Sequence, residues 1–179
     1  MCIRDRLSVS DRNNIGYQYT DCPLYWISVI YLNFAEAKAE MGSLTQDDLN
    51  NSINKLQARA GLPAMTTTPD ADPANNMGVS NLIWEIRRCR RCELIMDNWY
   101  RYWDLIRWHQ LDKLDSTKYP NTMLGANVSN VPDCEEATKN GYIDASDAQI
   151  RTYEAKHYFY PIPTTQLTLN KNMKQNPGW

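Results

Sequence analysis

The chain has no long apolar run, no excess of basic charge, only two histidines and none of the short signatures of common catalytic sites. Its most apolar stretch, Leu24 to Leu32, is about half the roughly 20 residues that a membrane-spanning helix needs. A net charge of −2 gives a nucleic-acid or anionic-membrane surface no electrostatic support. The five cysteines, Cys2, Cys22, Cys89, Cys92 and Cys134, form no evident disulfide framework and fit either redox compartment. Cys89-x-x-Cys92 would need two more ligands to hold zinc, and only His109 and His157 are on offer, far apart in sequence. A redox motif would need a βαβ setting that is absent. Both cysteines therefore read as small core residues on an apolar stripe. No G-x-S-x-G, P-loop, G-x-G-x-x-G or H-E-x-x-H pattern occurs. No catalytic residue, metal site or cofactor is expected.

What is present is concentrated in Arg90 to Trp108, where four arginines, three carboxylates and five large aromatics share barely five helical turns. Around Trp103 the sequence is apolar on nearly every side, which reads as a helix buried all round. Its charges must then be paired, since an isolated buried charge costs several kcal/mol. Asp104 stands three residues from both Arg101 and Arg107, so one carboxylate can serve two guanidiniums on neighbouring turns. The spacing predicts a structural ion-pair seam made of Arg90, Arg91, Glu93, Arg101, Asp104 and Arg107. Glu93, Asp97 and Asp104 also invite a glycosidase reading, with carboxyls roughly 5–10 Å apart. The arginines within helical reach would hold them ionised, which disfavours a general acid. Arg87, Arg88, Arg90 and Arg91 with nearby aromatics suggest a nucleic-acid grip, against which stand the acidic balance and the partners Glu85, Glu93 and Asp97.

The remaining pattern is helical. Pro23 suits a first helical position, and Leu24–Met41 runs to Gly42 with Asn33, Glu36 and Glu40 as its wet stripe. Thr45 and Asp48 form a capping box for a second helix, Gln46–Ala60, which ends at Gly61. So short a link makes the two an antiparallel hairpin. It is similar in size to one tetratricopeptide unit, and one unit cannot bury its own faces. Residues 65–77 are a linker rich in Thr, Pro, Asp and Asn. Ser80 caps a helix to about Asn98 with Leu82, Ile86, Cys89, Cys92 and Met96 on one stripe, and a further helix ends near Leu111 to Leu114. Ser116 to Asp147 is expected to be mostly irregular, and Tyr158 to Pro163 to be extended, because its two prolines exclude helix. The fold class is mainly α: a helical hairpin and paired helices with long irregular loops.

Three ordered blocks carry a resemblance. They are Tyr31-Leu32 with Ala35-Glu36-Ala37 and the hairpin segment Asn54 to Pro63; Arg90, Arg91, Glu93 and Leu94 followed by Arg101, Trp103, Asp104, Leu105, Arg107 and Trp108; and Tyr158 to Pro163 with the ending Gln175-Asn176-Pro177-Gly178-Trp179. Together they resemble the C-terminal portion of the SusD/RagB family of nutrient-uptake outer-membrane lipoproteins. Cys89, Gln57 and one extra residue within Asp97 to Arg101 depart from the family pattern. The resemblance implies a SusD-like C-terminal domain over residues 15–179, with a tetratricopeptide-like N-terminal half missing. Residues 1–14 read as a non-native scar and loop remnant.

What the resemblance implies about function is a non-enzymatic, cell-surface protein of the outer membrane. It would capture oligosaccharide and deliver it to a SusC-like TonB-dependent transporter, held to the membrane only by a lipid anchor absent from this fragment. Peptide capture, as in RagB-like members, and a helical-repeat interaction scaffold are the alternatives. Tyr17 and Tyr19, in a polar segment, are the candidate ligand contacts; packing on the missing half is the other account of them.

Overall fold

A computed structural model describes residues 25–95, 100–131, 138–144, 146 and 149–179. The chain folds as two compact units, the first ending at Glu93 and the second starting at Leu94. Among the described residues the architecture is mainly helical, and no helix is long and apolar enough to cross a membrane.

In the first unit, α1 (Ile27–Glu40) starts after Trp26, whose backbone is still extended. It stops at Gly42, where φ is +67°. The Gly42 N–H donates to Ala39 O and the Ser43 N–H to Lys38 O, both at 3.0 Å, the paired closure that a left-handed glycine permits. Thr45 and Asp48 then make the expected reciprocal cap of α2 (Gln46–Asn50), and Lys38 Nζ reaches Asp48 at 3.0 Å to tie the two helices.

The expected continuous helix Gln46–Ala60 is broken in two. α2 ends at Asn50 and α3 runs Ile53–Arg59, because Ser52 leaves helical geometry (φ −130°, ψ −95°). Its hydroxyl donates to Asp48 O at 2.6 Å. Asn50, Asn51 and Ser52 all carry side chains that compete with the backbone for hydrogen bonds, which favours such a break. After it, Asn54 pairs with the backbone of Met65 in both directions, donating at 3.1 Å and accepting at 2.7 Å. That anchors the 65–77 linker, which Asp72 pins again by accepting from the Trp84 indole.

Ser80 caps α4 (Asn81–Glu93), its hydroxyl accepting from the Ile83 N–H. α1 packs against α3 and α4, burying Leu32, Ala35, Leu49, Ile53 and Ile86 completely. The buried face of α4 is Ile86, Arg87 and Arg90, not the expected apolar stripe. Cys92 is exposed and Cys89 only half-buried, so the core reading fails for Cys92.

In the second unit, α5 (Tyr100–Arg107) buries Asp104 and Leu105. Trp103 is 56% exposed, so the helix is not buried all round. It closes like α1 but with a histidine: His109 takes φ +52°, its N–H donating to Ile106 O and the Gln110 N–H to Leu105 O. A 3-10 turn at Leu111–Leu114 follows.

The expected irregular stretch holds a second 3-10 turn, Pro120–Met123, and a small antiparallel sheet of β1 (Leu124–Asn127), β2 (Thr138–Lys139) and β3 (Tyr142–Asp144), ordered β1-β3-β2. Lys139 pairs with Tyr142 across Asn140-Gly141, both of which have positive φ. This is the two-residue hairpin turn that Asn-Gly favours, a signal that composition alone hides.

The tail turns through Ala155–Tyr158, runs without regular structure to Pro163 and enters α6 (Thr164–Leu169). The Gln175 amide serves Ile162 as a strand would, accepting from its N–H at 2.8 Å and donating to its O at 2.9 Å. The Asn176 amide donates to Tyr160 O at 2.7 Å. The closing residues thus satisfy the backbone of the proline-bearing stretch, which cannot do so within itself.

Candidate functional site

Charge pairing is strongest where α4 meets α1. Arg87 Nε donates to Glu36 at 3.0 Å and Arg87 Nη2 to Glu40 at 3.1 Å. Arg90 Nη1 donates to the side-chain Oδ1 of Asn33 at 2.8 Å. Glu36 is 2% exposed. Of the stripe expected to face water, Asn33 and Glu40 are exposed while also receiving arginines of α4, and Glu36 alone is buried. Glu93 takes Arg59 of α3 at 2.6 Å, and Arg88 pairs with Glu85 one turn away. Arg91 is exposed.

In the second unit Arg107 lies 3.4 Å from buried Asp104. The guanidiniums of Arg101 and Arg107 sit 5.9 Å and 5.2 Å from the ring centre of Trp108, within cation–π range. Arg90, Arg91 and Glu93 therefore belong to one unit, and Arg101, Asp104 and Arg107 to the other. Tyr17 and Tyr19 lie outside the described residues, as do residues 1–14, Asp97 and the remaining cysteines.

Asp115 is a residue that the sequence reading missed. Buried, it accepts from the Thr117 N–H at 2.9 Å and the Thr117 hydroxyl through Oδ1, and from the Tyr153 N–H at 3.1 Å through Oδ2. The Thr117 hydroxyl and the Tyr153 N–H hold its carboxyl down to about 2. Next to it Ser116 Oγ accepts from the Arg151 N–H and donates to Arg151 O, at 2.9 Å and 3.2 Å. The run Asp-Ser-Thr was the available signal, since Asp and Thr at that spacing favour a self-bonded turn. This bracket builds one wall of a cavity of about 210 Å³, whose other polar groups are Asp144, Ser146 and Gln149. A wider cleft of about 490 Å³ in the first unit runs between the 62–70 segment and Glu85 and Arg88 of α4.

Aromatic rings gather at the tail. His157 meets Tyr153 and Trp179 at centroid distances of 6.0 Å and 5.8 Å, and Tyr158 meets His109 and Tyr153 at 4.9 Å and 5.6 Å. Burial and the Tyr158 hydroxyl raise the Tyr153 phenol well above its usual range. The Trp179 indole donates to Phe159 O at 3.0 Å, which seats the last residue against the proline-bearing stretch. Burial pushes the Cys89 thiol up to about 11, leaving it a thiol at neutral pH and a poor nucleophile.

These features define a mainly helical protein in which Glu36, Glu40 and Glu93 pair with arginines of neighbouring helices. The chain belongs to the SusD family, whose pattern it matches over residues 4–179. It is similar to the crystal structure of a SusD-like protein from Bacteroides fragilis NCTC 9343, with 25% identity and a TM-score of 0.58 over 85% of this chain. That match covers 25% of the solved protein, so the chain spans about a quarter of its length. No curated protein matches the chain.

Proposed function

We propose that this chain is the C-terminal portion of a surface-exposed, lipid-anchored outer-membrane protein that captures oligosaccharide and hands it, unaltered, to a SusC-like TonB-dependent transporter. Membership of the SusD family along almost the whole chain is the observation that carries this reading. The buried and half-buried charges support it, because Glu36, Glu93 and Asp104 each face an arginine and are engaged in ion pairs. Capture would then rest on stacking and hydrogen bonding.

A helical layer upstream in the same polypeptide completes the proposal. The outer face of α1 leaves Trp26, Ile30 and Phe34 exposed, and a single helical hairpin has too few neighbours to cover such a face. The test is a binding screen of the full-length protein against neutral oligosaccharides and against peptides, with product analysis alongside. Oligosaccharide binding without cleavage is the expected result. Binding of peptides alone would move the assignment to peptide capture, and cleavage of either ligand would refute a pure binding role.

A further inference from the structure

We infer that the cavity of about 210 Å³ in the second unit is a binding site for a single neutral sugar ring. The inference rests on the nutrient-binding reading and adds to it a place and a ligand size. A cavity of about 150 Å³ is known to hold one benzene molecule, and sites for drug-sized ligands begin near 300 Å³. The volume here therefore suits one substituted six-membered ring.

The lining selects the chemistry. Three hydroxyls stand in it, and each sends its proton into the protein: Ser116 to Arg151 O, Thr117 to Asp115 Oδ1 and Ser146 to Asp144 Oδ1. Towards a ligand such hydroxyls act as acceptors. The Asp144 carboxylate oxygens act as acceptors. Gln149 alone brings side-chain N–H donors among the lining residues. An acceptor-rich wall calls for a donor-rich guest. The opposite side is apolar, with Met123, Leu124 and Ile150. A pyranose has that same division, hydroxyls around its rim and C–H groups on its face.

Calcium fits less well, since it takes about six to eight oxygens and favours several carboxylates, whereas among the described lining residues Asp144 is the one carboxylate. The walls are also set in advance. Asp115 and Ser116 clamp the 115–117 turn to Arg151 and Tyr153, and the Ser146 N–H and hydroxyl both bond Asp144 Oδ1. Little ordering cost remains to be met on binding.

The test is saturation-transfer NMR and calorimetry on the full-length protein with glucose, galactose, mannose and xylose, run beside glucuronate and calcium chloride. At least one neutral sugar should bind saturably and more tightly than glucuronate. Asp144→Asn and Gln149→Leu should each weaken it roughly tenfold or more, with the melting temperature held. A crystal of the unmodified protein soaked in that sugar should show the ring between Ser116 and Ile150, which locates the site even if a variant misfolds. No binding by any of the four sugars, unchanged affinity in both variants, a ring seated elsewhere, or calcium occupying the cavity in the sugar's place would overturn the inference. Oligosaccharide capture by the whole protein would survive that failure, and a whole protein that proved to bind peptide would leave a saturable single-ring site standing.

Discussion

Glu36 shows what a residue's surroundings do to its meaning. In the sequence it lies on the polar stripe of an amphipathic helix. In the structure it is sealed against Arg87, with Glu40 on the same guanidinium. Glu36→Ala removes the buried carboxylate and leaves Arg87 to half-exposed Glu40, so it should cost several kcal/mol, with about 3–5 as the upper bound, read by denaturant unfolding. A loss under about 1 kcal/mol, the level of an exposed pair, would show that Arg87 finds water instead. Asp104→Ala should cost less, about 1–3 kcal/mol, because half-exposed Arg107 can turn to water once the buried carboxylate is gone. Asp115 yields a pH prediction. Its carboxyl is depressed to about 2 in the folded state, against about 3.9 unfolded. Its stabilising effect is thus complete above about pH 4 and lost as pH falls from there towards 2. Carboxyl NMR titration should place its midpoint near 2, and Thr117→Val should move it upward; a wild-type midpoint near 4 would mean that the bracket is open in solution.

Elements were legible where an end signal is local. Gly42, Thr45 with Asp48, Gly61 and Ser80 each sit where the chain turns or caps as expected, because one residue's geometry decides the matter. Direction was legible only in part. A period of 3.6 tells which residues share a face but not which of them a neighbouring helix covers, which is how Glu36 was misread while Asn33 and Glu40 stay exposed. Trp103 failed for a related reason: aromatic content says that a face is apolar, and only the neighbours say whether it is covered. Asn140-Gly141 was legible and overlooked inside a polar stretch that lacks periodicity. It supplies the element-scale prediction. Gly141 has φ +79°, and a Cβ there would collide with Ser129 Oγ. Gly141→Ala should therefore destabilise the second unit by roughly 1 kcal/mol or more and weaken the β2–β3 pairing. Unchanged cross-strand contacts and an unchanged melt in the variant would show that another turn type closes the hairpin.

At the scale of the whole molecule the outer face of α1 is the deciding feature. Leu49 and Ile53 are fully enclosed, whereas Trp26, Ile30 and Phe34 are about half exposed. Each large apolar side chain left in water forfeits roughly 1.5–3 kcal/mol of burial, against a typical domain stability of about 5–15 kcal/mol. Partial exposure of three such residues removes a sizeable part of that margin and offers a surface for self-association. Residues 15–179 expressed alone should therefore be marginally stable or poorly soluble. The double substitution Ile30→Lys with Phe34→Lys should improve solubility of that fragment while leaving its unfolding midpoint nearly unchanged. In the full-length protein the same pair should be strongly destabilising, since there it would place two ammonium groups against the covering layer. The opposite pattern refutes the proposed upstream cover: a soluble fragment with a sharp cooperative melt, and a full-length protein indifferent to both lysines, would mean that α1 faces water in the mature molecule.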